Sequence, residues 1–270
     1  MSKKEILLTN HITFTEVMGV EKNAKLLIEA VLERKLEKIE QVWFPRSLSQ
    51  AVYGNTVYFK IWFGGQMNPD GIVYLTCAAS KEEKDQVTIA RKLAIKATVD
   101  DGALEAYFIT LCDFDPFGAG YALYYEHMKD DVTNEPLEEI PHGFFLNVDY
   151  RFGDTASEPI IELLDFARLG RRSPSPKGEL AKSVRWAVRG LKENSEVVAF
   201  ADILRKIGPH PWKIGQADKV IEQFRAGKLG LSEAAAKIRV SETEFRMLMQ
   251  KLDGPQGANV EDAPVPLGDN

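Results

Sequence analysis

The acidic side chains that could act together in this chain are few and poorly spaced for shared work. Asp113 and Asp115 flank Phe114 in Cys112-Asp-Phe-Asp-Pro-Phe-Gly118. Two carboxylates there could help to hold a divalent cation, but in a Pro-Phe-Gly turn their ordinary role is to accept hydrogen bonds from turn amides. Cys77 and Cys112, the two cysteines, each lie inside an apolar stretch and read as buried free thiols, which fits a reducing compartment. They lack metal-ligand spacing, and no Cys/His cluster accompanies them. The cations are better placed. Arg168, Arg171, Arg172, Lys177, Lys182, Arg185, Arg189 and Lys192 follow one another against Glu179 alone. Lys182, Arg185 and Arg189 recur at helical spacing beside Trp186, a stripe able to neutralise phosphates in a salt-sensitive, sequence-independent way. The competing reading is a solvated helix face with partners inside an acidic protein.

A second polar pattern lies near the C-terminus, where residues 230–246 have the rhythm of a helix-turn-helix. Ser232 caps one short helix and Ser241 the next, with Glu244 completing a capping box. Ala235, Ile238, Val240, Phe245 and Leu248 supply packing residues. A DNA reader needs basic or polar side chains at the start of its second helix, whereas Glu242-Thr-Glu244 repels phosphate. A packing or self-associating module is therefore the competing reading.

The elements that must position these groups follow from periodicity. Val17, Met18, Leu26, Leu27, Val31 and Leu32 recur at three- and four-residue spacing and are interrupted by Gly19, which predicts a short helix and then one over 22–36. Strands are predicted at 39–44, at 55–63 and at 72–79. The last two form a hairpin through Gly64-Gly65 and Asn68-Pro69-Asp70-Gly71. Both alternating sets of the hairpin are apolar, so the sheet is expected to be covered on both sides. A helix at 81–99 and strands at 106–112, 121–125 and 143–148 complete a mixed sheet of five or six strands. Helices follow at 158–169, 179–193, 196–206, 217–226, 232–238 and 241–252. The expected domains are an α/β core over 1–169, a linker at 170–178, a helical region over 179–252 and a disordered tail at 253–270.

The 270 residues, 44% hydrophobic and 27% charged, are those of an ordinary globular chain able to bury a core without staples. No apolar run reaches the length of a membrane span, and the basic N-terminal end has neither an apolar run nor a cleavage site, so a cytoplasmic protein without membrane contact is expected. The net charge of −6 does not itself point to nucleic acid, which leaves that case to the local clusters.

Three segments carry a resemblance when taken in order: Phe14-Thr-Glu-Val-Met-Gly19 with the helix after it, Asp70-Gly71 leading into Ile72-Val-Tyr74, and the run 112–118 followed by Phe144-Phe-Leu-Asn147. In this order the chain, from about Thr13 to Lys206, resembles the PD-(D/E)XK nuclease family transposases, relatives of bacterial recombination-promoting nucleases. The resemblance implies a restriction-endonuclease-like α/β core and a Mg²⁺-dependent DNA-cleaving site, in which the metal charge-neutralises the phosphate and activates water. It also implies an Asp on the first hairpin strand and Glu-X-Gln on the second. Here the Asp position falls at or beside Ile61, the Glu position at Cys77 and the Gln position at Ala79. No Asp or Glu lies between Gln41 and Pro69, and the next after Asp70 is Glu82. Cys77 is a poor ligand for so hard an ion as Mg²⁺.

The expectation is therefore a catalytically inactive member of this family, needing no cofactor. Its weak, sequence-independent DNA contacts would come from Arg171, Arg172, Lys182, Arg185 and Arg189, and self-association from the C-terminal helices. Two alternatives stay open. One is an active Mg²⁺-dependent nuclease whose site has moved to Glu29 and Asp70. The other is a protein-binding pseudoenzyme with no nucleic-acid role.

Overall fold

A computed structural model describes residues 8–42, 47–48, 56–82, 84, 105–126, 142–191, 195–208 and 210–254. The protein is an α/β structure with a six-stranded mixed sheet. Its strands are β1 (Lys38–Val42), β2 (Thr56–Trp62), β3 (Gly71–Ala78), β4 (Glu105–Cys112), β5 (Leu123–Glu126) and β6 (His142–Asn147), in the spatial order β1-β2-β3-β4-β6-β5. β1, β2 and β3 form an antiparallel meander; β3, β4 and β6 run parallel; β5 closes one edge antiparallel to β6. A parallel step from β3 to β4 needs a long crossover. The helix predicted over 81–99 would supply it, and most of that helix lies outside the described residues. β2, with the sequence TVYFKIW, is a strand because β-branched and aromatic side chains fit a pleated surface.

Before the sheet come α1 (His11–Met18) and α2 (Glu21–Leu32). Asn10 caps α1, its Oδ1 accepting from the Thr13 amide at 3.2 Å, and Gly19 ends it where the sequence predicts a break. α1 packs on β2 and β3, and α2 on β1. The alternating set Val57, Phe59, Ile61, Val73, Leu75 and Cys77 is buried throughout. On the opposite set Tyr58, Lys60 and Tyr74 are only half-buried, while Thr76 and Ala78 are buried.

After the sheet, α3 (Glu158–Leu169) leads through a 3₁₀ turn (Gly170–Arg172) to α4 (Glu179–Gly190). The chain divides into two compact units, Met1–Val42 with Asn55–Arg189 and Trp43–Gly54 with Gly190–Asn270. The expected linker at 170–178 lies inside the first unit. Ser173 is buried, and Glu162 on α3 accepts from the amides of Lys177 at 2.9 Å and Gly178 at 2.7 Å. Its Pro and Ser content marks an irregular segment, and these hydrogen bonds make it a tethered one.

The second unit holds α5 (Ser195–Ile207), α6 (Pro211–Arg225), α7 (Leu231–Lys237) and α8 (Glu242–Asp253) around Phe200, Ile203, Ile221, Phe224, Phe245 and Leu248. α6 starts six residues before its predicted beginning. Pro211 occupies the first turn, where its missing N–H costs nothing, while Lys213, Gly215 and Gln216 blur the apolar pattern there. α8 runs on to Asp253, whose carboxylate pairs with Arg225, so the first residue of the segment expected to be disordered is helical. Residues 255–270 lie outside the described set.

Candidate functional site

The hairpin is the first place to look for chemistry. Ile61 is fully buried opposite Gly71, at the turn end of the β2–β3 ladder. Cys77 is fully buried at the other end, beside Leu111 of β4. Six residues of strand separate the two levels, roughly 20 Å at ~3.3 Å per residue. The register does not bring Ile61 and Cys77 together, and the described β2 residue nearest the level of Cys77 is Thr56, paired with Thr76. Ala79 lies just past the end of β3 and is exposed. One-dimensional spacing places the Asp position near Ile61; the ladder shows that a site shared with Cys77 belongs at the far end of β2.

The two carboxylates of the relocated-site alternative are both engaged. The Glu29 side chain is 8% exposed, covered by the turn after α2. It accepts from the Leu36 amide at 2.9 Å and from Lys35 Nζ at 2.9 Å. Burial alone would raise its pKa, but the bonds from Lys35 and Leu36 outweigh this and lower it. Asp70 closes the hairpin loop, accepting from the Phe63 amide at 2.6 Å and from Gln66 Nε2, while its own N–H donates to Ile61 O at 2.9 Å. Among the described residues no three His, Cys, Asp or Glu side chains converge as a metal site would require.

At the carboxyl ends of β4 and β6 the run 113–120 folds around Asp115. Its carboxylate accepts from the amides of Phe117 at 3.2 Å, Gly118 at 2.8 Å and Gly120 at 2.7 Å, and from the Tyr124 hydroxyl at 2.7 Å. Partial burial alone would raise its pKa; these four donors lower it instead. Gly118 and Gly120 have φ of +78° and +81°, conformations that glycine adopts without steric cost. Asn147 fastens the same loop from β6 by donating to Tyr121 O at 2.9 Å. Asp115 thus bonds turn amides, as the sequence suggests. Asp113 is exposed as a residue, yet its carboxyl lies against protein. That burial, reinforced by Asp149, raises its pKa against a hydrogen bond from Thr9.

On α4, Lys182, Trp186 and Arg189 point outward, and Trp186 is 78% exposed. Arg185 is half-buried, one guanidinium N–H donating to Pro174 O at 2.9 Å. The helix's acid, Glu179, is taken by Lys22 at 3.0 Å. Leu180, Ala181, Val184 and Val188 are buried behind the charged face. Arg172 is exposed on the 3₁₀ turn, and the Arg171 side chain lies outside the described set. The structure thus brings Lys182, Arg185 and Arg189 onto one face around an exposed tryptophan.

Comparison with family models, curated proteins and solved structures finds no match. The fold class therefore rests on the structure, and the family resemblance on its three segments.

In the second unit the α7–α8 turn passes through Arg239 at φ +64°. The capping box forms as the sequence predicts: Ser241 Oγ accepts from the Glu244 amide at 3.2 Å, and Glu244 accepts from the Ser241 amide at 2.9 Å. Lys206 also bonds Glu244, and with the Ser241 amide it lowers the carboxyl's pKa. Of the two acids expected to repel phosphate, one is thus neutralised. The apolar faces of α7 and α8 are used up in the unit's own core. Sequence reasoning passed over a groove where α6 begins, lined by Trp212, Lys213, Lys237 and Arg239. The signal was the exposed Pro211-Trp212 start followed by Lys213, hidden by placing the helix too late.

Proposed function

We propose that this chain is a non-cleaving relative of the PD-(D/E)XK nuclease family transposases that associates with DNA through α4. The observation that carries the reading is the face of Lys182, Arg185 and Arg189 around an exposed Trp186, with Glu179 turned to Lys22. Cations spaced along a helix neutralise successive phosphates, and an exposed indole offers a surface for a sugar or an unstacked base. Support for the non-cleaving part comes from β2 and β3, whose buried set is apolar, and from the engagement of Glu29 and Asp70 within their own turns. The reading needs no cofactor and places the protein in the cytoplasm. Among the described residues no helix is long and apolar enough to cross a membrane.

The test is retention of a labelled 20-base-pair duplex by the full chain over a salt series, beside a nicking assay with Mg²⁺ and Mn²⁺. Binding that weakens with salt and is lost in Lys182→Glu/Arg185→Glu/Arg189→Glu is the expected result. Duplex binding indifferent to those changes sinks the DNA half. Metal-dependent nicking abolished by Glu29→Ala or Asp70→Ala sinks the non-cleaving half.

A second reading, a protein-binding pseudoenzyme, is favoured by Phe117, Tyr121 and Phe152. All three are exposed; Tyr121 lies 5.9 Å from Phe152 between ring centroids, and Tyr124 stands between Tyr121 and Phe117, 5.9 Å from the one and 4.9 Å from the other. Absence of any salt-dependent duplex retention would favour it.

A further inference from the structure

The groove in the second unit holds about 390 Å³, near the lower end of the ~300–1,000 Å³ usual for small-ligand sites. Its floor is apolar, built from Ile207, Ala217, Val220 and Ile238. Its polar lining is Lys213, Lys237, Arg239 and the amide of Gln216, without a carboxylate, in a chain of net charge −6. Trp212 forms a wall and is 60% exposed, with Lys213 Nζ 5.8 Å from the ring centroid.

Two features set the groove apart from a solvated surface. A broad aromatic face left in water beside three cations gains most from a flat ring that carries negative charge, through stacking on the indole and charge-assisted bonds at the rim. Arg239 is exposed at the rim, in the left-handed turn that ends α7, where its N–H donates to Ala236 O and the Val240 N–H to Ala235 O, both at 3.1 Å. Lys237 is shared with Glu233 at 3.4 Å and is the weaker contributor. The volume suits one ring and one phosphate.

We propose that this groove binds a nucleotide, with the base against Trp212 and the phosphate among Lys213, Arg239 and Lys237. The Gln216 amide, donor and acceptor at once, meets the edge of the base. The nucleotide is either free or the phosphorylated end of a strand, and the probes below separate the two. The inference is independent of α4, which belongs to the other unit.

The experiment is calorimetric titration of the full chain with AMP, adenosine, inorganic phosphate and a 5′-phosphorylated dA12, with tryptophan fluorescence followed in parallel. AMP or the 5′-phosphorylated strand is expected to saturate one site and quench part of the emission, Trp212 being one of four tryptophans. Preference for AMP identifies a free nucleotide, and preference for the strand that persists in Lys182→Glu/Arg185→Glu/Arg189→Glu and is lost with unphosphorylated dA12 identifies an end. Arg239→Asn, which tolerates the same backbone conformation, and Lys213→Gln should each weaken binding about tenfold. Trp212→Ala should weaken it and remove the quench. Lys182→Glu/Arg185→Glu/Arg189→Glu should leave AMP binding unchanged. No saturable binding at millimolar ligand overturns the proposal. So does affinity unmoved by Arg239→Asn with Lys213→Gln, or adenosine or phosphate binding as tightly as AMP.

Discussion

Asp115 is the anchor of the loop after β4, and its removal has a calculable cost. Asp115→Ala deletes the acceptor for three amides and one hydroxyl. The Phe117 and Gly118 bonds are at the surface, so these amides can turn to water at little cost. The Gly120 amide and the Tyr124 hydroxyl, each at 2.7 Å, are partly buried. At about 1.5 kcal/mol for a bond to a charged acceptor, these two together contribute roughly 3 kcal/mol. Asp115→Asn keeps the shape and one acceptor oxygen but no charge, and is expected to cost about half. The pH dependence follows from the lowered pKa. The native state binds this proton less readily than the unfolded chain, so the carboxylate's contribution is fully present above the ordinary value of 3.8. It is lost as the pH falls below that value and through the native one, so wild type and Asp115→Asn should converge in acid. Hydrogen exchange of the Gly118 and Gly120 amides, with urea unfolding of the full chain, measures both effects. A cost for Asp115→Ala below about 1 kcal/mol, or a gap from Asp115→Asn that ignores pH, would refute the reasoning.

At Gly71 a Cβ would stand 2.9 Å from Glu105 O and 3.1 Å from the Tyr107 ring, so Gly71→Ala should force β3 from β4 and cost about 1–3 kcal/mol in urea unfolding. The Cys112 thiol is pushed up to about 12 by burial, with Asp115 adding and Lys84 opposing. A disulfide reagent at pH 8 should therefore reach it only after denaturation, and fast native labelling would contradict this. Glu29→Gln should loosen the α2–β1 turn by roughly 1 kcal/mol, read by thermal melting. Because the folded pKa of Glu29 is lowered, its contribution is complete above 4.5 and fades as the pH falls through the native value.

The strands were legible because β2, β3, β4 and β6 are short apolar runs bounded by turn residues, and each observed strand lies within a residue or two of its predicted span. The capping box of Ser241 and Glu244 was legible for the same local reason. Register was not. Pairing of Ile61 with Gly71 depends on how an eight-residue loop closes through Asp70, and no periodicity encodes that. The groove at Trp212 was hidden too, because it joins the first turn of α6 to a turn beyond α7, residues about 25 apart in the chain. The unit boundary escaped for a related reason: Glu162 ties down a segment whose composition alone suggests a linker.

Cys77 has consequences for descent. At 0% exposure beside Leu75 and Leu111 it occupies a place where a carboxylate would be stripped of water. A mutation to glutamate there would be selected against for stability long before a metal could repay it, since the remaining ligands would have to arise on β2 as well. The position works as a ratchet. Neutral drift can exchange one apolar side chain for another there, but an acidic side chain is barred to any lineage that changes one residue at a time.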